Sequence, residues 1–209
     1  MTTSFRTLLR PLSTLLLIGA CESTDAATSA STDTAAGSDA ATSNPATPTA
    51  AEQYACVDDD FEPLKPLSGD GFDPEKGLIG ERRERYIVHT TQLVVPPAGM
   101  EAFGADMGDI FGAMAQADGL IAVSLAGSVK CGFNRTLGVW RDEAAMWAFV
   151  ASPAHVKAMT NTMDYATAGR VEHWEATAEE VEALTWESAM ARLNQVDNSP
   201  VFPKDDLVE

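Results

Sequence analysis

Three histidines, four tryptophans and three cysteines carry the chemistry this 209-residue chain could perform beyond packing. His89, His155 and His173 can each offer a neutral imidazole near pH 7, the group that takes a proton from a weakly acidic substrate. His155 is the candidate base; its structural alternative is a helix-start histidine bonded to backbone. His173 and Trp174 are neighbours in an extended segment, so they point to opposite faces. One of them faces any cavity on that sheet, and the sequence leaves open which. Trp140, Phe149, His173 and Trp174 are the candidate pocket residues, although aromatic residues here, Trp147 among them, equally suit a core. A metal centre needs three or more convergent ligands, and the histidine spacing provides no such set. Ser152 is explained as a helix cap rather than a nucleophile. Gly127, Gly132 and Gly138 miss the spacing of a nucleotide loop. No cofactor is expected.

The elements that must hold these side chains follow from periodicity. Residues 85–95 read as a strand, dense in Tyr, Ile, Val and Thr, and Pro96-Pro97 ends it. Met100, Phe103, Met107, Ile110, Phe111 and Met114 fall at helical spacing. Residues 120–129 and 136–140 read as two further strands, joined by a turn at 131–135. Asp142 can cap the next helix, whose buried side is Met146, Phe149 and Val150. Ser152-Pro153 restarts or kinks it. Residues 168–176 form a fourth strand, and the capping box of Thr177 and Glu180 opens a last helix to about Asn194. The order β-α-β-β-α-β plus a C-terminal helix is an α+β, ferredoxin-like arrangement. The strand at 120–129 is apolar on both faces, and helices cover only one. A second copy packed face to face would bury the other, predicting a homodimer; a tucked-in N-terminal extension would serve a monomer. Trp186, Met190 and Leu193 form a stripe on the last helix that could meet such a partner.

The N-terminus carries a different message. Arg6 and Arg10 precede a short apolar run at 12–18, the pattern of an export signal and too short to span a bilayer. The sequence Ile18-Gly19-Ala20-Cys21 resembles a lipobox, the processing site of bacterial lipoproteins. The resemblance implies cleavage before Cys21, acylation of its sulfur, and anchoring to a membrane; Glu22 in second position leans towards the outer membrane. Residues 21–52, almost entirely Ser, Thr, Ala, Asp, Gly and Pro in their first thirty, read as a disordered tether. Residues 53–84 read as an irregular extension, 85–195 as the domain, and 196–209 as an acidic tail. Loss of Arg6 and Arg10 with the signal, residues 1–20, takes the formal net charge from −17 to −19. So acidic a surface repels nucleic acid. With Cys21 assigned to lipid, Cys56 and Cys131 remain as an even pair in an oxidising compartment, and a disulfide is predicted.

Two segments carry a family resemblance: residues 136–155, TLGVWRDEAAMWAFVASPAH, and residues 170–174, RVEHW. They are similar to the antibiotic biosynthesis monooxygenase-like group of the dimeric α/β-barrel superfamily, over roughly residues 85–176. The resemblance implies cofactor-independent oxygenation of a small aromatic or polyketide-like substrate, with His155 as base and Trp140 and Trp174 shaping the pocket. In the haem-degrading branch a Trp and a His on the second long helix are functional. Counting without gaps from Trp140, those places hold Phe149 and Met159 here, a departure that argues against haem degradation. The group also contains ligand binders and proteins of no known role, so the alternative is a non-catalytic small-ligand-binding or structural lipoprotein.

Overall fold

The computed structural model describes residues 48–196. The signal segment, Cys21, the tether up to residue 47 and the tail from residue 197 lie outside the described residues. A short helix α1 (Ala50–Tyr54) precedes strand β1 (Glu62–Ser68) and a small hairpin of β2 (Phe72–Asp73) and β3 (Gly77–Leu78). Then come β4 (Tyr86–Val94), α2 (Met100–Met114), β5 (Leu120–Ser128) and β6 (Phe133–Trp140). Helices α3 (Glu143–Val150) and α4 (Pro153–Tyr165), strand β7 (Ala168–Ala176) and helices α5 (Ala178–Glu182) and α6 (Trp186–Leu193) complete the chain.

The strands form one antiparallel sheet in the order β1-β5-β6-β4-β7. From β4 to β7 this is the ferredoxin-like βαββαβ arrangement of an α+β fold. Local chemistry sets the boundaries. Asp142 accepts the Ala145 amide at 2.8 Å to start α3. Ser152 caps α4, with Pro153 in its first turn, where a missing N–H is harmless. Cys56 and Cys131 are joined by a disulfide.

The structure departs from the sequence reading in four places. Helix α1 begins at Ala50, inside the stretch assigned to the tether, because Thr49 and Glu52 make a capping box and Ala50 packs with Val94 and Phe133. The extension at 53–84 is not irregular throughout: β1 adds a fifth strand to the sheet. Pro63 and Pro66 are tolerated there because β1 lies at an edge. Strand β6 starts at Phe133 rather than Thr136, since Gly132, at φ 65°, completes the reversal early. The last helix is two helices, because Thr185 caps a new start.

The sheet's two faces are finished differently. On the face away from α2, α3 and α4, Val88, Thr90, Gln92, Ser124 and Val139 have no exposure. Val181, Ala189 and Leu193 of α5 and α6 cover that face, and Trp186 donates its indole N–H to Ser124 Oγ at 3.0 Å. The face that the sequence left to a second copy or to the N-terminal extension is closed here by α5 and α6. The stripe Trp186, Met190 and Leu193 serves its own sheet: Leu193 is fully buried. The helix-side face is the more open one. Thr91, Val123, Leu125 and Thr136 all keep partial exposure there, while their neighbours on the far face are buried.

Candidate functional site

All three histidines gather on the helix side. His89 of β4 pairs across the sheet with Gly138 of β6 and His173 of β7. A Cβ on Gly138 would sit 2.1 Å from the His89 ring. Glycine at this position lets the imidazole lie flat across β6. From there His89 Nδ1 accepts the indole N–H of Trp140 at 2.8 Å. An indole nitrogen can only donate, so Nδ1 carries no proton in this arrangement and neutral His89 bears its proton on Nε2. Burial, with smaller contributions from His155 and His173, pushes the His89 pKa down to about 4. At neutral pH it is therefore an uncharged Nε2–H donor, fixed in tautomer and orientation.

Trp140 is fully buried and continues the cluster through Phe149, centroid to centroid 5.2 Å, and Phe149 meets His155 edge-on at 5.0 Å. His155 lies in the first turn of α4, where its amide donates to Ser152 Oγ. Its side chain is half-buried, and Nδ1 is buried with no hydrogen-bond partner in good geometry. Burial lowers its pKa from the ordinary imidazole value, and the Val150 carbonyl acts the other way. The result is a second neutral imidazole, with the Val150 carbonyl beside its ring. His173 is exposed on the edge strand, edge-on to Trp147 at 5.8 Å. Trp147 beside it and Val171 on the same strand are each about half exposed, and so are Val156, Met159 and Met163 of α4.

The structure thus brings His155, Trp140, Phe149 and His173 to one region and removes Trp174 from it. Trp174 projects from the other face of β7, packed with the far-face core and stacked under Arg192 at 4.7 Å. Gly138, and the place of His89 in this cluster, were not foreseen from the sequence. Alternation places His89 between buried Val88 and Thr90, but nothing in the sequence marks the ring's route over a glycine two strand positions from Trp140.

A larger groove, about 1020 Å³, runs between α2 and the α3–α4 corner. Its walls are small residues, Gly108, Gly112, Ala144 and Ala148 among them, and its rim holds the Arg141–Asp118 and Lys157–Asp109 ion pairs. Phe149 both lines this groove and touches the imidazole cluster. Among the described residues no three His, Cys, Asp or Glu side chains converge to hold a metal ion, and no helix is long and apolar enough to cross a membrane.

No protein-family model matches the chain, and no curated protein matches it. Solved structures similar to it include a protein of Shewanella oneidensis, 16% identical, spanning 46% of this chain and 95% of its own, with a TM-score of 0.41. A variant of SnoaB, a cofactor-independent oxygenase of Streptomyces nogalater, is 20% identical over 44% of this chain and 91% of its own, with a TM-score of 0.36. A protein of Pseudomonas aeruginosa is 13% identical over 47% and 97%, with a TM-score of 0.38.

Proposed function

We propose that the chain is a lipid-anchored, exported protein whose domain oxygenates a small phenolic or polyketide-like substrate on the helix side of its sheet, with His155 as base. The observation that carries the reading is a pair of neutral imidazoles of different roles joined through aromatic rings. His89 is locked by Trp140 as an Nε2–H donor, and His155 is half-buried beside the Val150 carbonyl, which favours a proton on the ring nitrogen facing it and leaves the other nitrogen as base. A base must be unprotonated at working pH, and burial achieves that for both rings.

In this scheme the substrate ring lies against Phe149 and Trp147, the rings that meet His155 and His173. His155 takes the acidic proton, and the His89 Nε2–H steadies the resulting oxyanion. The electron-rich anion gives one electron to dioxygen, and the radical pair combines to a peroxide at the activated carbon. Loss of water then leaves a carbonyl, so one methylene and one dioxygen become one carbonyl and one water. Dioxygen is the only co-substrate the balance requires.

Oxygen uptake with a dihydroxyanthrone tests this. His155→Ala should lower the rate at least about a hundredfold, the usual weight of a general base, and change affinity only a few-fold. The wild-type rate should rise with pH through an apparent pKa below 6.5 and level off by neutrality. Saturable binding without oxygen uptake would favour a sequestering module, and an unchanged rate in the variant would remove His155 from the chemistry.

The anchoring half of the proposal rests on the export-type N-terminus, the Ile18-Gly19-Ala20-Cys21 site and the Cys56–Cys131 disulfide, a bond that persists in oxidising compartments. In cells fed labelled palmitate, the wild-type protein should carry label in the membrane fraction. Cys21→Ser should lose both label and membrane association. A Cys21→Ser protein that stays membrane-bound would refute the lipid anchor.

A further inference from the structure

A second pocket, about 370 Å³, lies on the far face of the sheet beneath the N-terminal segment. A rung across three strands forms its polar side. Gln92 of β4 pairs with Arg135 of β6 on one flank and Arg170 of β7 on the other. Both guanidinium groups donate to one oxygen, Gln92 Oε1: Arg135 Nε at 2.9 Å and Arg170 Nη2 at 3.3 Å. The two cations do not fare alike. Arg135 is met by the Asp58 carboxylate and stacks on Phe61 and Phe133. Arg170 stacks on Tyr54 at 4.3 Å and has no carboxylate partner among the described residues. Its Nε is buried and unbonded, and so is Nε2 of Gln92, a residue with no exposure at all. Burial works most against the Arg170 proton, Tyr54 beside it favours the charged form, and the like charge of Arg135 opposes it.

A guanidinium taken out of water needs an opposite charge and partners for its N–H groups. The rest of the pocket describes what would bring them. Tyr54, Phe61, Trp186 and Met190 give it aromatic and apolar walls, and its size is at the lower end of small-ligand sites. Asp58 already cancels the charge of Arg135, and Glu187 stands at the mouth. With Glu187 the lining holds two acids against two arginines, so Arg170 can take one carboxylate only by direct contact, and a dianion such as phosphate is disfavoured.

We propose that this pocket binds a small aromatic monocarboxylate, its carboxylate on Arg170 and its ring between Tyr54, Phe61 and Trp186. The site is on the opposite face from the histidines and independent of the oxygenase reading.

Calorimetric titration of the full chain with benzoate, benzamide and inorganic phosphate tests it. Benzoate should bind saturably, and benzamide and phosphate at least about tenfold more weakly, as expected for loss of a charge-assisted contact. Arg170→Met, which keeps the apolar stem over Tyr54, should weaken benzoate at least about tenfold. Met190→Trp, which fills the pocket and leaves every charge in place, should abolish binding and serves if Arg170→Met does not fold. Benzoate binding that survives either change, benzamide binding as tightly as benzoate, or no binding at about 10 mM would each overturn the proposal. Binding that emerges only after removal of residues 197–209 would assign the pocket to the chain's own acidic tail and overturn it as well.

Discussion

The far face and the helix side of this sheet bury polar groups by different means. On the far face charged groups are paired across the sheet, while Thr90 Oγ1, Gln92 Nε2 and Arg170 Nε stay unbonded. Consecutive acids of the N-terminal segment each take a partner there: Asp58 pairs with Arg135, Asp59 with Lys130, and Asp60 with Ser128 and the Lys130 amide. The disulfide, α5 and α6 close what remains, apart from the pocket at Arg170. On the helix side two neutral imidazoles meet the sheet, buried Asp106 is held between α2 and α4 by Lys157 and Asn161, and the strand residues beneath the helices stay partly exposed. The contrast is one of degree: the far face is closed except at the Arg170 pocket, and the helix side keeps more of its strand residues exposed.

The strongest way to break the comparison is to loosen the sealed face. The Cys56–Cys131 bond closes a loop of 75 residues, worth about 4 kcal/mol in the chain-entropy model. The double variant Cys56→Ala, Cys131→Ala should lose about that much in urea denaturation. Below the new midpoint it should retain oxygen uptake, since none of its changes touches the helix side. Parallel loss of activity and stability would show that the faces are not independent.

The fold was legible because its signals are local. Asp142, Ser152 and Thr177 each cap a helix where the sequence placed one, and the strands from Tyr86 to Ala176 read from alternation and β-branched residues. What escaped depends on contacts distant in sequence. Strand β1 looks irregular because its two prolines and two charges hide a strand held only by its edge pairing with β5. The closure of the far face needed α6 to fold back, which no periodicity announces. At the site, His155 and His173 were legible as chemistry. The tautomer of His89 was not, since it is set by Trp140, 51 residues away, across a glycine. The side choice between His173 and Trp174 needed the register that pairs His89 with His173 and Val88 with Trp174.

Gly138→Ala is the smaller perturbation, and it sharpens the comparison by acting on the open face alone. The new methyl would collide with the His89 ring at 2.1 Å, so the ring must leave and the Trp140 bond must break. Overpacking of this kind costs about 2 kcal/mol at pH 7, and oxygen uptake should fall with the lost Nε2–H donor. The pH dependence then identifies the cause. In the wild type His89 has a folded pKa of about 4 against an ordinary 6.5, so the unfolded chain binds the proton first. The stability this group contributes is complete above pH 6.5 and is lost as pH falls towards 4. Between pH 7 and pH 5 the loss is about 2 kcal/mol. In Gly138→Ala the displaced imidazole keeps its ordinary pKa in both states and contributes no such loss. The acids with lowered pKa values, Asp118 and Asp142 among them, titrate below this window in both proteins and cancel in the difference. Urea midpoints that are well separated at pH 7 should therefore converge at pH 5. A gap that persists at pH 5 would mean that the methyl is accommodated elsewhere and that His89 does not hold its neutral, buried state through Gly138.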